Sequence, residues 1–207
     1  MSDFTLYLQT GLEHILDIKG YDHILFVIAL CAIYTLKDWK KLLWLITAFT
    51  IGHSITLALA TFKVVAINAN IIEFLIPITI IFTCITNFFY QPTENQYFSK
   101  QSFSKQSFGE QGKNIFRYLI TLFFGLIHGL GFSNFLISLL GKQANIGLPL
   151  LAFNIGLEIG QLVIVAILLI FISLLSLFLA KQREWVLVIS AIVLGISLTL
   201  VTDKWIF

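Results

Sequence analysis

Apolar residues run along this chain in long blocks with few interruptions, and those blocks set the architecture. Six of them cover about residues 22–36, 42–62, 69–90, 115–140, 149–180 and 185–203. Only helices and closed barrels satisfy their own backbone in hydrocarbon, and unbroken blocks lack the period-two alternation of barrel strands. They predict six transmembrane helices. Ahead of them, residues 3–18 put Phe4, Leu8, Leu12, Ile15 and Leu16 on one face, with Asp3, Thr10, Glu13 and Asp17 largely elsewhere. A helix there would be about 22 Å long, short of a ~30 Å hydrocarbon core, so it is expected to be an interfacial or partly inserted amphipathic helix. The one sizeable polar stretch, 91–113, reads as a loop and marks no domain boundary. The expectation is an all-α, polytopic helix bundle forming one transmembrane domain over residues 1–207.

Composition agrees with this and narrows the class. With 58% apolar and 12% charged residues, and a mean hydropathy of +0.92, the chain cannot build a soluble surface. Its net charge of +2 lacks the bias that would suggest nucleic acid as a partner. Cys31 and Cys84 lie inside apolar blocks without CxxC spacing and read as packing residues. The first charge is Asp3, and neither a basic leader nor a small-residue cleavage site follows, so the N-terminus is expected to stay in the mature protein. With six spans, Lys37, Lys40, Lys41, Lys100, Lys105, Lys113, Arg117, Lys181 and Arg183 fall on one side, and Lys19, Lys63, Lys142 and Lys204 on the other. The positive-inside rule then places the 91–113 loop in the cytoplasm and both termini outside.

The polar residues inside the apolar blocks carry the chemistry. His53 sits in mid-span among Thr50, Ser54 and Thr56, and an ionisable side chain at that depth is a functional-site hypothesis that needs partners. The candidates are His14 and His23 flanking the start of the first span, His128 in the fourth, Asp22, Glu73 near the start of the third, and Glu158 in the fifth. At 1.5 Å per residue these groups lie between the outer surface and about mid-membrane, where they could converge. Thr50, His53 and Ser54 share one helical face, as do Asn154, Glu158 and Gln161. Each residue also has a plainer reading: interhelical hydrogen bonding for a histidine, an N-cap for Asp22, a solvated helix start for Glu73, close packing for the glycine pairs. Three histidines and a deep glutamate on four spans favour a metal site. Imidazole with carboxylate suits nickel, cobalt, zinc or iron, with Thr50, Ser54, Glu73, Asn154 and Gln161 as supporting partners.

Five segments at these residues resemble the HupE/UreJ family: Gly-Leu-Glu-His (11–14), Tyr-Asp-His-Ile-Leu-Phe (21–26), Ala-Phe-Thr-Ile-Gly-His-Ser-Ile-Thr-Leu (48–57), Phe-Gly-Leu-Ile-His-Gly-Leu-Gly-Phe (124–132) and Phe-Asn-Ile-Gly-Leu-Glu-Ile-Gly-Gln (153–161). The resemblance implies about six spans in a bacterial inner membrane. It also implies uptake of nickel or cobalt for metalloenzyme maturation, with metallochaperone or maturation proteins as partners. The family's histidine motifs map onto His14, Asp22 and His23, and onto His128 with Gly129. The chain departs from the family in two places: residues 15–21 are a longer spacer before Asp-His, and no glutamate closes the motif just after His128, leaving Glu158 as its candidate replacement.

Two functional classes follow. A permease would capture a divalent cation at Asp22 and His23 and hold it with His53, His128 and Glu158; few polar residues (Thr83, Asn87) continue the path inward. A zinc hydrolase acting on a lipid or amide at the outer leaflet would fix the metal with His23, His53 and His128, using Asp22 or Glu158 as base and Ser54 as a polarising hydroxyl. A metal-stabilised accessory or sensor protein is the third and plainest option. No nucleotide-binding motif is visible.

Overall fold

The computed structural model describes residues 3–65, 67–92, 105–140, 146–178 and 181–205, with backbone alone for 105–113. Seven α-helices and no strand occur among them: α1 (Asp3–Leu16), α2 (Asp22–Cys31), α3 (Trp39–Thr61), α4 (Ala69–Phe88), α5 (Lys105–Leu140), α6 (Gly147–Leu175) and α7 (Gln182–Asp203). α3 to α7 are long and apolar enough to cross a membrane; α2, at 10 residues, is not by itself. Local chemistry sets several boundaries. Thr35 and Asp38 cap the entry to α3, with the Thr35 hydroxyl donating to Asp38 Oδ2 over 3.0 Å. Asn68 Oδ1 accepts from the Asn70 amide at the start of α4. α3 ends in a Schellman-type turn, Val64 N to Leu59 O and Lys63 N to Ala60 O, with Lys63 in the left-handed position at φ 58°.

Glycines decide which helices lie together. A Cβ on Gly52 would strike the Leu122 carbonyl, and one on Gly125 would strike the Phe49 carbonyl, so α3 and α5 run parallel with their backbones in contact. The same reciprocal pattern joins α1 to α6: Gly11 lies against the Phe153 carbonyl and Gly156 against the Leu8 carbonyl. Without an apolar driving force in lipid, such small-residue contacts are the natural glue between helices. α4 and α7 pair antiparallel. Lys204 meets Glu73 at one end over 2.6 Å, and Arg183 donates to the Phe88 and Tyr90 carbonyls at the other. That second end also carries Lys37, Lys40, Lys41, Arg117 and Lys181, and is here called the basic end. One hydrophobic cluster joins all seven helices, with Cys31 and Cys84 buried in it as free thiols.

Three features refine the expectations. The 3–18 helix packs on the bundle: Gly11 lets α1 dock lengthwise on α6, starting at the end opposite the basic one. The 22–36 block is not one long helix, since α2 ends at Cys31 and its Ala29 carbonyl accepts from Asn87 Nδ2 near the basic end. α1 and α2 therefore follow one another down the bundle, with the 17–21 linker, including Lys19, between them rather than at the outer surface. Their 14 and 10 residues add to about 36 Å, close to α3's 23 residues at about 34 Å. Finally, helix α5 begins inside the expected loop, at Lys105. Within that loop 93–104 lie outside the described residues, as do Lys142 and the side chains of Lys105 and Lys113.

Candidate metal centre

The break between α1 and α2 brings His14, near the end of one helix, beside His23, at the start of the next. Their ring centroids are 4.6 Å apart. His53 faces both from α3, at 6.0 and 6.2 Å. One nitrogen from each of the three can be chosen so that all lie within 4.8 Å of one another. Three imidazole nitrogens on a tetrahedral ion at about 2.0–2.1 Å would stand roughly 3.4 Å apart, so the trio needs to close by about an ångström to hold one.

Hydrogen bonding gives these nitrogens a direction. His23 Nδ1 donates to Asp22 Oδ1 over 2.9 Å, which turns the Nε2 lone pair toward the other rings. His23 Nε2, His14 Nε2 and both nitrogens of His53 are buried and without a hydrogen-bond partner. A buried polar group left unpaired costs about 1–3 kcal/mol, and His53 is 0% exposed. The donor chemistry and the unpaired nitrogens fit a borderline-soft divalent ion.

His128 adjoins the trio without joining it. Its ring lies 5.0 Å from that of His23, and its Nε2 is 2.9 Å from Thr79 Oγ1. Since the Thr79 hydroxyl donates to the Ile76 carbonyl, His128 Nε2–H is the donor in that pair, and Nδ1 keeps its lone pair without a partner. Phenylalanines close the centre above and below. Phe132 and Phe153 stack at 5.0 Å on the side away from the basic end, with Phe132 3.8 Å from His14. Phe26 and Phe49, 4.9 Å apart, lie on the other side, both against His128.

The remaining sequence candidates are elsewhere. Glu158 Oε1 accepts from the Thr47 hydroxyl over 2.7 Å, and Thr47 is six residues, about 9 Å, from His53 toward the basic end. Thr50 donates to Gln161 Oε1, Ser54 to the Thr50 carbonyl, and Asn154 Nδ2 to the Leu150 carbonyl. These residues form a polar seam between α3 and α6 beside the histidines. Glu73 is held by Lys204 at the end of the bundle. Thr79 was missed by the sequence reading, although its place one turn before Thr83 on α4 would have pointed to it. The aromatic roof and floor were missed as well: all four phenylalanines lie in the segments that carry the family resemblance, but the sequence reading gave them no role.

Fold and site together define an α-helical membrane protein with histidines gathered inside its bundle. The family model described as HupE / UreJ protein matches residues 1–205, and the chain belongs to that family. No curated protein and no solved structure matches it.

Proposed function

We propose that this protein is a permease for a divalent transition metal, nickel or cobalt, and that the cation rests between His14, His23 and His53 partway across the bilayer. The observation that carries this reading is the meeting of three imidazoles whose buried nitrogens have no other partner. Imidazole binds late first-row metals well and replaces the waters a cation must shed. Asp22, through His23, offsets part of the charge, and His128 is a neighbour ready to accept the ion in turn. The phenylalanine roof and floor make this an occluded state.

In this reading the basic end faces the cytoplasm by the positive-inside rule and both termini lie outside, in a bacterial plasma membrane. α1 and α2 together make the first of six crossings as a broken helix, the device by which membrane proteins place ion sites at mid-depth. Maturation proteins that accept the metal on the cytoplasmic side are the expected partners.

A zinc hydrolase is the second reading, because three imidazoles with an open position are also a catalytic donor set. It is the weaker one: the Ser54 hydroxyl is committed to the Thr50 carbonyl and Glu158 to Thr47. Nickel and cobalt uptake into proteoliposomes separates the two. The permease reading expects saturable uptake that His53→Ala reduces at least tenfold; equal flux in wild type, variant and empty liposomes would end it.

A further inference from the structure

Below the phenylalanine floor lies a cavity of about 130 Å³ that the sequence did not suggest. Its lining is largely apolar, with Tyr34, Thr83, Thr86, Asn87 and Thr121 as its uncharged polar members, Phe124 on the side nearest the histidines and Arg117 on the side nearest the basic end. A second opening at the basic end shares Ile33, Tyr34, Thr86 and Arg117 with this cavity, so Arg117 borders both. Arg117 Nη1 donates to the Tyr34 hydroxyl over 3.4 Å, and its guanidinium carbon lies 6.0 and 5.7 Å from the rings of Tyr34 and Tyr90. From the other direction, His128 is joined to Thr79, and Thr83, one turn further on, donates to the Thr79 carbonyl.

We propose that this cavity is the vestibule through which a cation leaves the histidine centre, and that Arg117, clasped between Tyr34 and Tyr90, is its gate. The inference rests on the permease reading. The vestibule has room for several waters. Its hydroxyl oxygens and the Asn87 side-chain oxygen can accept from the water shell of a cation regaining its waters, and neither imidazole nor thiolate lines it. A fixed positive charge on a side chain that lines both spaces repels a divalent ion while the clasp is closed. The aromatic faces hold that charge with little direct hydrogen bonding, so the side chain can swing outward.

The test uses full-length protein in proteoliposomes, in a Cys31→Ala, Cys84→Ala background. A membrane-impermeant cationic thiol reagent is applied at the basic end to Thr83→Cys, to Thr121→Cys as a second deep reporter, and to Thr86→Cys, which borders both spaces and serves as control. Arg117→Ala is expected to speed labelling of the deep positions at least tenfold, Arg117→Lys to leave it within about threefold, and Thr86→Cys to label in all backgrounds. Nickel leak through Arg117→Ala is expected to rise severalfold. Unchanged deep labelling in Arg117→Ala overturns the gate and leaves the permease reading untouched. Faster labelling with no nickel flux in any protein overturns the permease reading, and the exit role with it.

Discussion

Replacing His14 by alanine tests the geometry against the sequence. The sequence reading holds the ion with His53, His128 and Glu158 in a permease, or with His23, His53 and His128 in a hydrolase, whereas the folded chain gathers His14, His23 and His53. Four-ligand structural zinc sites gain on the order of 10–16 kcal/mol, so one imidazole is worth about 3 kcal/mol, or about a hundredfold in Kd. His14→Ala should therefore weaken cobalt binding about a hundredfold. His128→Ala removes the partner of Thr79 and a wall of the site, and should cost about tenfold or less. The assay is chelator competition on purified protein in detergent, using the visible bands of cobalt(II), with a thermal melt to show that both variants are folded. A folded His14→Ala protein that binds within threefold of wild type, beside a His128→Ala protein a hundredfold weaker, would refute the reasoning and restore the sequence-level set.

Five further substitutions have expected outcomes. Gly125→Ala drives a methyl into the Phe49 carbonyl and should destabilise by about 1–3 kcal/mol, whereas Gly195→Ala, with nothing within 4 Å, should stabilise by up to about 1 kcal/mol; detergent melts read both. Lys63→Gly relieves the left-handed residue at φ 58° and should raise stability by about 1 kcal/mol in the same assay. Glu158→Gln can keep the bond to Thr47 and should leave cobalt affinity within about threefold in chelator competition, because its partner Thr47 lies about 9 Å along α3 from His53. Glu73→Gln breaks an ion pair whose partners are 45% and 46% exposed, and should shift stability by no more than about 1 kcal/mol in denaturant titrations.

Much of this architecture could be read from the chain because lipid enforces a simple code. Hydropathy located α3 to α7, since every spanning backbone must be helical and every lipid face apolar. It also singled out His53 and His128 as anomalous at their depth. Depth along a helix is one coordinate, however, and a site needs the other two. Nothing in the spacing of 11–14 showed that Gly11 would let α1 lie against α6, so His14 was placed beside the start of the first span rather than among the other histidines. The same gap misled the reading of Glu158: its depth suited the histidines, but its face on α6 turns it to Thr47. Thr79 escaped notice because a threonine within an apolar helix normally serves its own backbone. It does so here too, through Ile76, while also receiving His128. The basic-end vestibule was represented only by Thr83 and Asn87, because Arg117 and the two tyrosines come from separate segments.

The broken first crossing ties these points together. Two half-length helices put two helix ends, and with them His14 and Asp22-His23, inside the bundle, where an unbroken helix would have spaced them a full spacer apart. An unusually long spacer at 15–21 is thus compatible with the two histidines meeting, because the extra residues form the linker rather than lengthening either helix.

Whether three imidazoles hold a divalent ion inside this bundle is read directly by X-ray absorption at the nickel or cobalt edge of the loaded, purified protein. About one ion per chain is expected, with an outer-shell signal from three imidazole rings that falls to two in His14→Ala. A loaded protein showing only oxygen ligands, or one that retains no metal at all, would contradict three-imidazole binding.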